Sequence, residues 1–572
     1  MLTLIDLLVE QVRVRPDAAA FRSKRQGRWQ STSWRVFHDA ARAFAAALVA
    51  RGVPPGARVG VLTGTREEAV IADWGALMAG AVAVPIYPTL TPDQVVFVLR
   101  DCDARVLVVD DDAKLQRIEA DPGYRPLDLV VSLRSGWDAL LAEGRALLAD
   151  GADGGDLVTA CSAAVGAEDV AAIFYTSGTT GEPKGAVLTH DAFLFEVSAL
   201  FELLGVSAED EQLLFLPLAH IFGKLLVVAA MRVGAVTAFA QSMLTVLDDA
   251  EEVRPTFLGS VPRLFEKVHE VALVKAKEAG AVQEKIFHWA IGVGDQVARM
   301  RRRGEPIPLS LELQRRYADK LVLAKVRGRF GGRLRFAVSG AAPLDRPLFE
   351  WFHAIGILVL EGYGLTETCG ALTLNRPQAF RSGTVGRALP GVELRVADDG
   401  EILARGANLS RGYFRNDGPP DPRGVIDAEG FLHTGDVGDL DGDGFLRITD
   451  RKKDLLITAG GKNVAPQRVE GRVLRSPWVA RAVVVGDRRP FLVALLVLDD
   501  EAIRRAGVAP EAAARAAIDD ANADLAPFET IKRWAILDRD LSTEEGELTP
   551  TLKVRRRAVE ERFAGLIDGL YR

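Results

Sequence analysis

The sequence predicts a soluble α/β protein of at least two domains, and three observations carry that reading. Apolar runs with strand character alternate with amphipathic helical runs through the first third, which implies parallel pairing. A second series of the same kind begins after Ile448-Thr-Asp-Arg-Lys-Lys-Asp454. The 572 residues also exceed what a single hydrophobic core usually supports.

The elements follow in order. Arg58–Leu62 reads as a strand, 67–80 as a helix, 83–87 as a strand, 92–102 as a helix and 105–110 as a strand. The longest uncharged run, between Asp73 and Asp93, approaches bilayer length but is broken by Pro85, Pro88 and Pro92. A buried helix followed by a buried strand is therefore expected, and no transmembrane segment. Residues 270–335 are helical and rich in Lys and Arg, including Lys275, Lys285, Arg301, Arg302, Arg303, Arg315 and Arg316. A solvated helical hairpin is the simpler reading. A basic face for anionic lipid or nucleotide phosphates is the other. Beyond Asp454, LLIT, ARAVVVG and PFLVALLVL read as strands and APQRVEGRVL as a helix. Domains at 1–450 and 454–572 are expected, joined by the charged segment Asp450 to Asp454.

Composition removes several function classes. With 71 basic and 78 acidic residues the net charge is −7, which argues against a nucleic-acid binder. Cys102, Cys161 and Cys369 are odd in number, far apart and without CxxC spacing, so neither a disulfide framework nor a thiolate metal site is expected. The N-terminus carries Asp6 and Glu10 within its apolar stretch and is not read as a signal peptide. A cytoplasmic location follows. Asp439-Leu-Asp-Gly-Asp-Gly444 matches the opening of an EF-hand loop, but strand-like flanks and Asp450 at the twelfth position favour a hairpin turn.

The strongest local signal is Tyr175-Thr-Ser-Gly-Thr-Thr-Gly-Glu-Pro-Lys-Gly185 after the apolar run VAAIF. Such a density of hydroxyls and glycines leaves backbone N–H groups free to wrap phosphate oxygens, with Lys184 adding charge. A flexible polar loop is the alternative. The offsets do not match the GxxxxGK[ST] phosphate loop.

This segment resembles the signature loop of the adenylate-forming superfamily, which includes acyl-CoA synthetases, peptide-synthetase adenylation domains and firefly luciferase. Four further stretches are similar to that family's motifs, in its order: Ser339-Gly-Ala-Ala-Pro343, Glu361-Gly-Tyr-Gly-Leu-Thr-Glu-Thr368, Thr434-Gly-Asp436 with Asp450-Arg-Lys-Lys-Asp454, and Leu548-Thr-Pro-Thr-Leu-Lys553. Together they cover the chain from about residue 170 to its end. The resemblance implies a large N-terminal adenylate-forming domain of layered α/β subdomains and a small mobile C-terminal α/β domain. The implied chemistry is ATP-dependent activation of a carboxylic acid as its acyl-adenylate, then transfer to the thiol of coenzyme A.

Site residues follow from the same resemblance. Thr176, Ser177, Gly178, Thr179, Thr180 and Lys184 would cradle phosphates. Gly340, Ala341 and Ala342 would meet adenine, and Glu361, Gly362, Tyr363, Gly364 and Thr366 would line the nucleotide, with Tyr363 giving an aromatic face. Asp436 would accept from the ribose hydroxyls with Arg451 nearby. Thr176 and Glu367 would position Mg²⁺, a hard cation suited to oxygen ligands. Lys553 would bridge carboxylate and α-phosphate, Lys453 would be the hinge, and Gly460 and Gly461 would line the thiol route or else form a tight turn. His220, in LPLAHIFG, resembles the family's pocket histidine; a satisfied core histidine is the alternative.

FLPLAHIFG, EGYGLTET, ITDRKKDLLITAGGKNVAP and GELTPTLKVRR look most like bacterial long-chain fatty acyl-CoA synthetases. Phe265 stands where those enzymes commonly carry a gating Trp, which leaves the preferred chain length open. A fatty acid, ATP, Mg²⁺ and coenzyme A are thus the expected substrates and cofactors, with peripheral membrane contact at most. Medium-chain or aromatic acids, loading of a carrier protein, and a catalytically idle nucleotide- or acyl-binding protein are the rival readings.

Overall fold

The computed structural model describes residues 3–149, 154–176, 183–415, 418–422, 426–459, 462–549 and 553–572. The expected residues Ser177, Gly178, Thr179, Thr180, Gly460 and Gly461 lie outside this set.

Two large sheets organise the N-terminal part. Among the described residues, the first has six strands in the order Leu129–Ser132, Ala104–Val109, Arg58–Leu62, Val82–Pro85, Val170–Thr176 and Lys184–Thr189. All pairs are parallel except the last, an antiparallel hairpin. The strand expected at 83–87 ends at Pro85, beyond which the backbone turns. Side-chain alternation divides this sheet between two cores. Val106 and Val108 enter the main core, while Leu107 and Val109 face a second one closed by the helix Pro92–Asp101.

The second sheet has nine strands among the described residues. Its parallel centre runs Val359–Leu365, Phe336–Ser339, Phe257–Ser260, Glu211–Leu214, Val236–Phe239 and Ala19–Arg25, with antiparallel strands at both margins. Strands of both sheets share one hydrophobic core with the helices Trp34–Ala50, Glu67–Met78, His190–Leu204 and Ile221–Val233. Glu67–Met78 is buried nearly all round, as its largely apolar sequence requires of a helix covered on every side. The run between Asp73 and Asp93 is thus the buried helix and buried strand its prolines suggested.

Residues 262–328 form a helical excursion: Pro262–Glu278, Ala281–Arg302, Leu309–Ala318, a π-helical turn Asp319–Leu323 and Ala324–Gly328. Among the described residues a four-stranded antiparallel sheet follows, and Asp439–Gly444 joins its strands Leu432–Leu440 and Leu446–Arg451 as a hairpin turn. Asp441 and Asp443 there pair with Arg381.

The small C-terminal part has its own sheet, Val479–Val485, Leu492–Leu498 and Ile531–Ile536. Val484, Ala494 and Leu496 face a core with the helices Pro466–Val473 and Pro510–Ala523. Val483, Val493 and Leu495 face the other, with the helices Arg556–Arg562 and Ala564–Tyr571. The chain is therefore an α/β protein with a large N-terminal and a small C-terminal domain. In parallel sheets ligands bind beyond the carboxyl ends of the strands, and that edge of the nine-stranded sheet carries Ser339-Gly340-Ala341-Ala342, Glu361–Glu367 and His220.

Candidate active site

The hairpin Val170–Thr176/Lys184–Thr189 fixes both ends of the hydroxyl- and glycine-rich segment. Thr176 and Lys184 are its last paired residues, and the Thr176 hydroxyl donates to the Lys184 carbonyl at 3.4 Å. Lys184 is thus the first residue of a strand rather than part of a loop. The Tyr175 hydroxyl donates to Asp101 at 2.5 Å, which ties the hairpin to the helix Pro92–Asp101. The Lys184 ammonium lies 5.1 Å from the ring centre of Tyr413, whose hydroxyl donates to Glu367 Oε1 at 2.8 Å. Lys184 and Glu367 therefore meet across one aromatic side chain that the sequence reading missed. Its only signal was an aromatic residue in a Gly-, Ser- and Asn-rich stretch.

Glu367 stands on the 3₁₀ turn Thr366–Thr368, held from below by groups the sequence did not mark. Glu196 is fully buried, and burial raises its carboxyl well above the usual range. It accepts from the Ala371 N–H at 2.6 Å and the Asn408 amide at 3.2 Å, and Asn408 also donates to the Thr368 carbonyl at 3.1 Å. The chain doubles back so tightly that a Cβ on Gly364 would sit 1.6 Å from the Gly370 carbonyl oxygen. Only glycine fits that approach. Between them Cys369 is fully buried in the left-handed region (φ 54°), and burial drives its thiol well above the ordinary value.

Beside this turn, Ser339 and Glu361 are register partners on parallel strands. Ser339 Oγ and Glu361 Oε1 are both buried without a hydrogen-bond partner among the described residues. Burial pushes the Glu361 carboxyl up to about 8. Gly340 lies against the Phe222 ring, and Ala341 holds φ +67°, a conformation costly for a residue with a Cβ and typical of ligand sites. Gly362 and Tyr363 pair with Leu374 and Thr373. The Tyr363 hydroxyl donates to Asp436 Oδ2 at 2.6 Å, and Arg451 Nε reaches Asp436 Oδ1 at 3.1 Å. Asp436 and Arg451 are themselves register partners, so the hairpin positions them together.

His220 caps the helix Ile221–Val233. Its Nδ1 accepts from the Phe222 N–H at 3.1 Å, which places the remaining ring proton on Nε2. Burial, then the charge of Lys553, push its pKa down to about 4, so the ring is neutral at physiological pH. One turn on, Lys224 forms a buried ion pair with Asp73 and lies 4.1 Å from the Trp74 ring centre; its sequence signal was a lone lysine in an apolar helix.

Lys553 retains solvent access, yet desolvation and then Arg451 lower its pKa, against the opposing pull of Asp436. It therefore shares one electrostatic environment with His220, Arg451 and Asp436, and Arg475 adds an ion pair across to Asp345 at 3.2 Å. Lys453 is exposed, its pKa lowered by partial desolvation and by the neighbouring Arg451. Phe265 lies in the main core, edge-to-face with Phe352 at 5.0 Å.

An assembly of this kind offers cationic groups (Lys184, Arg451, Lys553), oxygen donors (Thr176, Glu367) and a carboxylate for hydroxyls (Asp436): the chemistry of a polyphosphate nucleotide. The comparisons agree. The family model of AMP-binding enzymes matches residues 8–414, and that of the AMP-binding enzyme C-terminal domain matches 453–572. The long-chain-fatty-acid–CoA ligase FadD15 of Mycobacterium tuberculosis is 36% identical, covering 99% of this chain and 96% of its own. The long-chain-fatty-acid–CoA ligase ACSBG2 of Gallus gallus is 31% identical, covering 100% and 81%. Among solved structures, the Bacillus subtilis o-succinylbenzoate coenzyme A synthetase in complex with ATP and magnesium superposes with a TM-score of 0.70 at 22% identity, over 96% of this chain and 98% of that one. The chain belongs to the family of AMP-binding enzymes.

Proposed function

We propose that the protein is an AMP-forming long-chain fatty acid–CoA ligase. The observation that carries this is the convergence of Lys553, His220, Arg451 and Asp436 beside the Glu367 turn, joined to the whole-length similarity to relatives named long-chain-fatty-acid–CoA ligases. In the first step a carboxylate oxygen of the acid attacks the α-phosphorus of ATP and pyrophosphate leaves. In the second the thiolate of coenzyme A attacks the acyl carbonyl and AMP leaves.

Roles follow from charge and reach. Lys184 neutralises the β- and γ-phosphates, for which Ser177, Gly178, Thr179 and Thr180 are the hydrogen-bonding cradle that the sequence suggests, and Lys553 neutralises the carboxylate and α-phosphate that must approach one another. Asp436 takes the ribose hydroxyls, with Tyr363 and the Gly340–Ala342 turn enclosing adenine. The unpaired Glu361 and Ser339 oxygens suit a base that both donates and accepts. Thr176 and Glu367 are oxygen donors that fit Mg²⁺, which supplies charge neutralisation at the phosphates. His220, neutral with its proton on Nε2, is a donor toward the acyl carboxylate. Residues 1–450 and 454–572 act as two bodies hinged at Lys453.

A long acid suits the relatives and the energetics. Each buried methylene contributes about 0.8 kcal/mol, while one methylene discriminates by only about 1–3 kcal/mol. A broad range of long chains and poor use of acetate are expected, with Phe265 shaping the chain-length preference. AMP release is measured from ATP, Mg²⁺ and coenzyme A with acetate, octanoate, palmitate and oleate in turn. CoA-dependent release with palmitate and oleate supports the reading. Release only with short or aromatic acids overturns the substrate class, and CoA-independent turnover overturns the acceptor.

A further inference from the structure

A cavity of about 230 Å³ opens where the helix Pro92–Asp101 ends, the strand Ala104–Val109 begins and residues 124–128 lead into the strand Leu129–Ser132. It therefore sits at the amino ends of the parallel strands, whereas Thr176 closes the carboxyl end of a strand of the same set. Its floor is apolar: Val96 and Leu99 are buried, and Leu127 packs against the same cluster. Its rim is more cationic than the protein itself neutralises. Arg105 pairs with Asp128 at 2.5 Å, and Asp103 with Arg58 at 2.8 Å. Asp121, just before the rim, accepts from the Gly123 N–H at 2.8 Å. The side chains of Arg100 and Arg125 have no ion pair or hydrogen bond among the described residues, and the Tyr124 hydroxyl has no hydrogen bond. The Arg100 guanidinium lies along the loop that carries Tyr124, since a Cβ on Gly123 would stand 3.4 Å from its Nη1.

We propose that this cavity binds a small effector, a phosphate or carboxylate group on an aromatic or short aliphatic body. The two uncommitted guanidiniums take the anionic oxygens, for which their planar fork is suited. The Tyr124 ring, Leu99 and Leu127 take the body, as in a ligand site with an apolar lining and a few placed polar groups. The size separates the ligand from the substrates. The cavity is smaller than the roughly 300–1,000 Å³ that holds a drug-sized molecule, and so too small for ATP, coenzyme A or a long acyl chain. Its wall is continuous with the phosphate hairpin. Arg100 adjoins Asp101, the acceptor of the Tyr175 hydroxyl, and Tyr175 precedes Thr176. A ligand that draws on Arg100 thus bears on the base of the hairpin, and its occupancy is coupled to nucleotide binding.

The test is calorimetric titration of the full-length protein with phenyl phosphate, phenylacetate and inorganic phosphate, which needs no turnover. Expected is binding of one or both aromatic anions, the tighter of them identifying the anionic group, with inorganic phosphate at least about tenfold weaker for want of a body to bury. Arg100→Ser with Arg125→Ser should weaken that binding by about tenfold or more and leave the unfolding midpoint of the unliganded protein unchanged. Leu127→Asp, which sets a carboxylate in the floor, should weaken it likewise, while Lys184→Ala should not. At saturating phenyl phosphate or phenylacetate the affinity for ATP with Mg²⁺ should shift by about fivefold or more in the wild type and not in the arginine variant. The proposal is overturned if neither aromatic anion binds, if inorganic phosphate binds as tightly, or if binding survives the arginine substitutions. Loss of binding in Lys184→Ala would move the ligand to the phosphate hairpin and also overturn it. An ATP affinity that stays constant would refute the coupling.

Discussion

Lys224→Met tests how the ground beneath His220 is held. Lys224 and Asp73 are 1% and 6% exposed and form an ion pair, with the ammonium also 4.1 Å from the Trp74 ring centre. Asp73 Oδ1 has no further hydrogen-bond partner among the described residues. Removing the ammonium strands a buried carboxylate with nothing to replace its partner. Breaking such a pair costs about 3–5 kcal/mol, against a total stability on the order of 5–15 kcal/mol. Replacing both members together, Lys224→Met with Asp73→Leu, leaves no unpaired charge and should be close to neutral. The double-mutant cycle in urea unfolding should then give a coupling of about 3 kcal/mol or more, with hydrogen exchange accelerated in Ile221–Val233 for the single variant alone. A single variant costing under about 1 kcal/mol, or a double variant no better than the single, would refute the reasoning.

Four further outcomes follow. Lys553→Ala should slow ATP–pyrophosphate exchange by about 10²–10³ or more while the protein stays folded by circular dichroism. Tyr413→Phe keeps the ring beneath Lys184 but removes the hydrogen bond to Glu367; a charged hydrogen bond contributes about 1.5–3 kcal/mol, so the Mg²⁺ requirement, read from initial rates, should rise by about tenfold or more. Gly364→Ala drives a methyl into the Gly370 carbonyl and should abolish AMP release or soluble expression, whereas Gly442→Ala, where nothing lies nearby, should do neither. Glu361 holds its proton up to about 8, so the folded state binds more protons than the unfolded state between the ordinary carboxylate range and that value. Its contribution is present at low pH and lost as pH rises through about 8; Glu361→Gln should flatten that part of the stability profile measured by thermal unfolding.

Much of this was legible in the sequence because the informative residues are local. The strand Arg58–Leu62, the helix at 92 and the Asp439–Gly444 hairpin turn each declare themselves within a dozen residues. So do the motif stretches, whose residue types and order identify the family. What could not be read depends on register and distance. Glu196 and Asn408 are 212 residues apart, and nothing in either neighbourhood announces that they meet under the Glu367 turn. Tyr413 was invisible for the same reason, since its meaning lies in Lys184 and Glu367. Tyr363 was read as a flat face for adenine, and its hydroxyl also anchors Asp436, a contact between strands of different sheets.

The cysteines acquire a meaning from the chemistry around them. An acyl-adenylate is a potent acylating agent, and any thiolate nearby competes with the intended acceptor. Cys369 stands two residues from Glu367, but its thiol is sealed in the core and driven well above its ordinary pKa. Cys102, close to Tyr175 at the base of the phosphate hairpin, is likewise buried and pushed up to about 12. Since the thiolate rather than the thiol is the nucleophile, burial leaves both sulfurs inert. The two sulfurs beside the proposed site are thereby kept from competing with the acceptor, and an acyl-adenylate formed there would wait for a sulfur that arrives from solution.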